Sequence, residues 1–522
     1  MRPLELPDFE TQARRLRYQA LGAACRAENI TNLLLAHHAD DQAETVLMRL
    51  ASSHKSIGLR GMHSSSDIPE CWGVHGVHRS GEHEATLGSH NRLSSETESV
   101  LRSGSLGKRD HSLLSFSCLF EQGGVQILRP LLKFRKQDLI DTCQAHGVEW
   151  SEDATNKDTW RTTRNATRSL LGNFRLPMAL ETTSLVQLSS HMQGREVQYN
   201  EGASRLHELC EILLFDLRSG CLLVRLPRLP STEAITVDVA QLSISVSRSL
   251  TASMLVRRLV HLVTPQEDVP LHSLKRAVTA IFPSLAHPNG ATVEEQIGPL
   301  VFTTAGIIFE RNHSPNSNTD VRSNSDFHLE GRELRNENLD TNFIWNLTRQ
   351  PFAKVSANVK LGGLKDAPTT ILVDGAPSGR NNASKSALWS SWQLWDGRYW
   401  IRIKNLTAQP LKVRPFCESD LRVIRTSAPK SIRKPFERVL ASAAPNKVRW
   451  TLPAIAHAVG GSGKLGKVLA LPTLGKTGII DVKDEKGQRK VEWEVRYKKV
   501  NLGRRHDGTR RGVNIITSWE DS

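Results

Sequence analysis

Two imidazoles and two carboxylates fall within five positions of the run Leu33-Leu34-Leu35-Ala36-His37-His38-Ala39-Asp40-Asp41-Gln42-Ala43-Glu44. Such a set can hold a metal, orient a phosphate-bearing substrate or move a proton. The spacing is equally that of a capped helix start with ordinary loop histidines, because helix N-termini are acidic for structural reasons. A second polar concentration runs from Trp150 to Asp158 and includes Asp153 and Asn156; Arg164 and Arg168 follow. Four residues apart, these two arginines share one face of a helix. Arg14, Arg15 and Arg17 form a basic run, which is usually a solvated face.

The elements that position these groups are legible in the apolar pattern. Leu33–Ala36 reads as a short strand buried on both faces. Ala43, Val46, Leu47 and Leu50 then make one helical stripe, with Asp40 or Asp41 as the N-cap. The cluster therefore lies just past the carboxyl end of a strand, where open α/β sheets place ligands. A helix over Phe9–Ala27, with Ala13, Leu16, Ala20 and Ala24 as its apolar face, precedes it. Val125–Leu128 reads as a strand, and Lys136–His146 as a helix closed by Gly147. Between them, residues 63–122 are rich in Ser, Gly and His and read as a disordered insertion. His75, His78, His83, His90 and His111 are too irregular there to predict a metal site. Val239–Val263 reads as helix, Ile297–Arg311 as a short β segment, and Trp395–Ile403 alternates as a strand. Gly461–Val468 has the outline of a Walker A loop but puts Val468 where a magnesium-binding hydroxyl is needed, so a hairpin tip is expected.

The 522 residues predict about two to four domains. A net charge of +15 favours a polyanionic partner. The pairs Lys498-Lys499, Arg504-Arg505 and Arg510-Arg511 are spaced for phosphate contacts. No apolar run has the length of a membrane span, so no membrane partner is expected. Seven scattered cysteines without CxxC spacing indicate reduced thiols and an intracellular or organellar compartment, with neither a zinc site nor a disulfide framework.

Five collinear blocks carry a resemblance: Glu10–Tyr18, Leu33–Leu50, Gly58–Met62, Leu128–Leu132, and Trp150–Asp158 followed by Arg164-Asn165-Ala166-Thr167-Arg168. Together they resemble the tRNA(Ile)-lysidine synthetases of the PP-loop (N-type) ATP pyrophosphatase superfamily. Lys430–Phe436 and Pro445–Trp450 resemble the carboxy-terminal domain of the same family. The resemblance implies an α/β fold: a parallel-sheet PP-loop (adenine nucleotide alpha hydrolase-like) domain over 1–175, a mainly helical tRNA domain over 176–311, a linker-rich segment over 312–391, and a small α+β tRNA-binding domain over 392–522.

It also implies an ATP- and Mg2+-dependent ligase that joins L-lysine to C2 of the wobble cytidine in isoleucine tRNA with a CAU anticodon. A homodimer is one assembly it allows; a eukaryotic member would act in the mitochondrion and a bacterial one in the cytoplasm. By the same resemblance His37, His38, Asp41, Arg17 (with Arg14 as second choice) and Arg164 are catalytic, and Asp40, Asp41 and Arg164 bind nucleotide. Asp41 is the metal ligand, and Arg168, Arg433, Lys434, Lys447 and Arg449 contact RNA, with Arg257 and Arg258 as further candidates. The family's Ser-Gly-Gly-x-Asp-Ser phosphate loop occurs nowhere in the sequence. The sheet is therefore expected to be truncated and the enzyme impaired, an incomplete record being the favoured cause. A non-catalytic tRNA-binding protein and another PP-loop tRNA-modifying enzyme are the alternatives. The latter is weakened by the missing cysteine pairs.

Overall fold

The computed structural model describes residues 9–78, 120–151, 162–227, 229, 234–239, 242–285, 301–312, 344–352, 370–375, 389–458, 466–481, 490–502 and 515–516. Two compact units emerge: Met1–Arg92 with Gly123–Gly202 and Ala234–Ser247, and Leu93–Gln122 with Ala203–Glu233 and Arg248–Ser522.

The first unit opens with helix α1, Phe9–Ala27. It ends where Asn29 adopts a left-handed conformation, with Ile30 N donating to Cys25 O and Asn29 N to Arg26 O, a Schellman stop. Its inward face differs from the expected one. Tyr18, Gly22 and Cys25 face the core, while Leu16 is 66% exposed. The absent side chain of Gly22 sets this face, since a Cβ there would lie 2.5 Å from Val77 Cγ1.

Strand β1 (Asn32–Leu34) pairs in parallel with β3 (Gln126–Leu128), and β3 pairs antiparallel with β2 (Ser65–Asp67). The sheet is thus mixed, in the order β1-β3-β2. β1 is an outer strand, so Leu33 is half-buried and Leu34 is exposed, in contrast to the fully buried strand its composition suggested. The supposed insertion is also ordered at its start: Ile68, Cys71 and Val77 are buried with Tyr18, Cys25, Val125 and Ile127 in one core. A Ser-rich sequence masked those three apolar residues. Its remainder, 79–119, lies outside the described residues.

Helix α2 (Ala39–Ala51) follows β1; α3 (Lys136–Ala145), α4 (Thr163–Asn173) and α5 (Thr182–Leu209) complete the framework of the unit. Ala43 and Val46 of α2 pack on Leu185 of α5, with Leu47 and Leu50 against them. α3 is closed at Gly147 (φ +64) by the same kind of stop as α1.

In the second unit β4 (Glu211–Asp216) and β5 (Cys221–Arg225) are followed in the chain by the hairpin β6 (Ala234–Val239) and β7 (Leu242–Ser247), grouped with the first unit. Then come α6 (Arg248–Val263), α7 (Lys275–Ile281), β8 (Val301–Thr304), β9 (Ile307–Arg311) and β10 (Ile344–Arg349). Among the described residues, the region expected to be mainly helical contains six strands beside its helices. Leu242-Ser243-Ile244-Ser245-Val246-Ser247 alternates strictly, a strand signal that the longer helical period obscured. β10, inside the expected linker, instead lies within a six-stranded sheet, with Trp345 1% exposed.

β11 (Ile371–Val373), β12 (Gln393–Trp395), β13 (Tyr399–Asn405) and β14 (Leu411–Pro415) come next. After them run α8 (Glu418–Ser427), α9 (Lys430–Ala443), β15 (Pro453–His457), β16 (Val468–Ala470), β17 (Val491–Tyr497) and β18 (Ile515–Ile516). β12, β13 and β17 form one antiparallel sheet, while β11, β14, β15 and β16 form another. Phe416, Leu421, Ile424, Phe436 and Leu440 join the core of the latter. β15 and β16 pair antiparallel, and the glycine-rich segment between them lies largely outside the described residues. Among the described residues no helix is long and apolar enough to cross a membrane.

Candidate active site

His38, rather than an aspartate, is the N-cap of α2. Asp41 reaches back from the third helical position to accept from His38 N at 3.1 Å, the reciprocal half of a capping box. Asp40 turns the other way and accepts from Lys136 N, the first residue of α3, at 2.7 Å. The tip of β1 is thus tied to α2 and α3 at once, and Ala39 N donating to Phe134 O completes the tie.

The centre of the site is a carboxylate that composition did not single out. Glu44, 2% exposed, accepts from Arg164 Nε at 2.8 Å and from Arg168 Nε at 2.7 Å. Arg164 Nη2 also donates to Asp41 Oδ1 at 2.8 Å. Thr162, whose hydroxyl accepts from Asn165 N, starts α4 so that the four-residue spacing lays both guanidiniums on Glu44. A buried carboxylate needs such partners, since an unpaired charge in the interior is strongly disfavoured. The readable signal was Glu44 itself: three residues after Asp41, it shares that residue's helix face.

The two histidines differ. Burial holds His37 below the ordinary histidine value, against the pull of Asp41, and its Nδ1 is buried without a hydrogen-bond partner. Contact with the Asp40 carboxylate, 3.5 Å from Nδ1, raises His38. At pH 7 His37 is therefore a neutral imidazole. Its lowered value favours the folded state above the unfolded histidine range, and this contribution is lost as pH falls through the folded value. For His38 the sign is opposite: its contribution is present at low pH and lost as pH rises through the folded value. Nitrogen-15 NMR of histidine-labelled protein should show His37 titrating below 6.5 and His38 above it, and Asp40→Asn should lower His38 alone. Titration of both at one pH would contradict the geometry.

Arg129, 7% exposed, lies in the electrostatic reach of His37 and of Tyr18 and Arg14 on α1. It donates to His63 O and Ser66 Oγ, both at 2.9 Å. Arg17 is exposed, its guanidinium 5.8 Å from the Tyr18 ring, and Arg14 lies 3.8 Å from Glu70. Arg129, rather than Arg17 or Arg14, is the arginine of this region that acts electrostatically on His37.

The Gly58–Met62 segment is locked beneath α2. Arg49 donates to Gly58 O and Gly61 O. Gln42 bonds both ways with Met62 and donates to Ser189 of α5. Gly61 sits at φ +64, and a Cβ on it would lie 2.6 Å from Gln42 Oε1 and 2.8 Å from Ser189 Oγ. Gly61→Ala should therefore cost about 1–3 kcal/mol through strain and broken buried hydrogen bonds. A urea midpoint equal to that of the parent would refute this.

The other expected contacts lie elsewhere. Glu152, Asp153, Asn156 and Asp158 fall outside the described residues, as do Arg504, Arg505, Arg510 and Arg511. Lys434 and Lys447 are exposed; Arg433 donates to Arg425 O, and Arg449 stacks 5.9 Å from the Trp450 ring. Arg258 donates to Ser204 Oγ, and Arg257 is half-buried. Lys498 and Lys499, expected at phosphates, are 5% and 8% exposed; they follow directly on β17, and Lys498 N donates to Arg398 O at 2.8 Å and its Nζ to Thr264 O.

Magnesium tests the donor set. Asp41, the expected ligand, has Oδ1 engaged by Arg164 and Oδ2 by His38, and no group of three potential ligands occurs among the described residues. The hydrogen bond and ion pair of Asp40 both run through Oδ2. The residues therefore fit a single carboxylate oxygen offered to a phosphate-bound magnesium rather than a protein cage.

A family model described as a PP-loop domain matches residues 5–72 and 89–174. A probable tRNA(Ile)-lysidine synthase of Schizosaccharomyces pombe is 24% identical over 476 residues, covering 90% of this chain and 74% of the relative. The tRNA(Ile)-lysidine synthase of Ralstonia nicotianae is 30% identical over 35% of this chain and 28% of its own length. That of Chlamydia abortus is 29% identical over 29% of this chain and 31% of its own length. The chain thus spans about three quarters of the yeast relative and less than a third of these bacterial ones.

Proposed function

We propose that this chain, which carries a PP-loop domain and is similar to tRNA(Ile)-lysidine synthases, catalyses ATP-dependent attachment of L-lysine to C2 of the wobble cytidine of isoleucine tRNA. In that reaction the C2 carbonyl oxygen attacks the α-phosphate of ATP and pyrophosphate leaves. The lysine ε-amine then attacks C2, AMP leaves with its oxygen, and the amine loses a proton.

The observation that carries this reading is the Asp41–Glu44–Arg164–Arg168 network beside a neutral, unpartnered His37 at the tip of a parallel strand. His37 is in the form that accepts the proton of the attacking amine. Arg164, held rigid by two carboxylates, stabilises charge developing on phosphate without having to reorganise. Asp40 would give one oxygen to the magnesium that accompanies the triphosphate, whose chemistry is to neutralise the leaving pyrophosphate.

His37, Arg164 and Arg168 supply the acid–base and cationic half of the site. A tRNA-binding protein without turnover is a second reading, favoured by the net charge of +15. Lysine incorporation into a CAU-anticodon isoleucine tRNA transcript, at millimolar ATP with magnesium, separates the two. The enzyme reading expects incorporation that His37→Ala and Arg164→Ala abolish. Selective transcript binding without incorporation supports the binder, and the absence of both overturns the two together. We propose a mitochondrial location, supported by the long polar insertion typical of a eukaryotic chain; fractionation tests this.

A further inference from the structure

We infer that the sheet β12-β13-β17 carries a stacking platform for unpaired bases of the RNA substrate. The inference rests on the RNA-binding reading above and is tested so that the two fail separately.

Four flat side chains alternate across β13, β17 and the segment leading into β12. The Arg402 guanidinium lies 4.9 Å from the Trp389 ring and 4.8 Å from the Trp392 ring, and that of Arg496 lies 4.9 Å from Trp392. The ladder is rigid before any ligand arrives. Glu494 grips Arg402 in a fork, accepting from Nε at 3.0 Å and Nη2 at 2.8 Å. Ser390, next to Trp389, is stitched to β13: its N donates to Ile403 O at 2.9 Å, and its Oγ accepts from Ile403 N at 3.0 Å.

Two features of the ladder point to a nucleic acid. Trp389 is 36% exposed, an indole offered at one end of the stack. Arg496, unlike Arg402 and Lys404, makes no ion pair with a carboxylate among the described residues, so its charge is uncompensated. A planar ring ending a cation–π ladder beside an uncompensated cation suits a base with its phosphate, because stacking is tolerant of sequence and the phosphate needs only charge. The excess of +15 over the whole chain acts in the same direction. Bases within a duplex are already stacked and cannot use the site, so the occupant is single-stranded.

The test uses the full chain with three probes: the unmodified isoleucine tRNA transcript, a short oligouridylate and a blunt RNA duplex. Trp389→Ala should weaken oligouridylate binding about 5- to 100-fold and leave duplex binding unchanged, while Trp389→Phe restores most of the loss. Arg496→Gln should reduce the slope of log affinity against log salt by about 0.7, the share of one single-strand phosphate. Should Trp389→Ala fail to fold, the phenylalanine and glutamine variants decide. Oligouridylate binding by Trp389→Ala within twofold of the parent overturns the platform, as does equal weakening for duplex and single strand. A parent chain that binds none of the three probes overturns the RNA-binding reading itself.

Discussion

Asp396→Ala is expected to destabilise the second unit by about 3–5 kcal/mol, the cost of leaving a buried ion pair without one partner. Asp396 stands between two arginines. Arg349 Nη2 donates to its Oδ1 at 3.1 Å and Arg398 Nε to its Oδ2 at 2.8 Å. Arg398 is fully buried and also donates to Ser219 O and Thr451 O, both at 2.9 Å, so it joins three separate stretches of the chain. Without the carboxylate, two guanidiniums that are 4% and 0% exposed would share the interior unpaired. Asp396 and Gly397 have φ +50 and +59, the conformation of a tight hairpin turn between β12 and β13. Asp396→Asn is therefore the needed control, since asparagine keeps the turn and removes only the charge. Urea unfolding followed by fluorescence, with buried Trp395 and Trp400 on either side, is the measurement. An alanine variant within about 1 kcal/mol of the parent, the size of an exposed pair, would show that the network is not what holds these segments.

The second large effect is an asymmetry in the first unit. The double variant Arg164→Ala, Arg168→Ala should lose about 3–5 kcal/mol, whereas Glu44→Gln should lose far less. The reason is burial: Glu44 is 2% exposed, but the arginine side chains are 35% and 37% exposed. Removing the arginines strands a charge in the core, while removing the carboxylate charge leaves two cations that water can still reach. Function should not follow stability. Glu44→Gln releases both guanidiniums from their fixed geometry, and lysine incorporation should fall about as far as when a preorganised donor is removed, 10²-fold or more. Thermal melting of the three chains reads the first effect. Equal destabilisation by the two routes would mean that Glu44 is solvated in solution.

Much of the local physics was legible in the residues. α1 falls on the expected span Phe9–Ala27, Gly147 stops α3, and Arg164 and Arg168 share a helix face, because periodicity, left-handed stops and four-residue spacing are encoded within a few positions. The adjacency of His37, His38, Asp40 and Asp41 was also visible, since one strand-to-helix junction carries all four. Which partner each group meets was not. Glu44 joins Arg164 and Arg168 from 120 and 124 residues away, Gln42 meets Ser189 across 147, and Arg398 reaches Ser219 across 179. No local pattern reports such pairings. For the same reason Leu34 looked buried and proved exposed, and Lys498 looked exposed and proved buried. The sequence determined the chemistry available at the strand tip and the helices that present it. Tertiary packing alone decided which charges are stranded without one another, because burial depends on what the rest of the chain brings alongside.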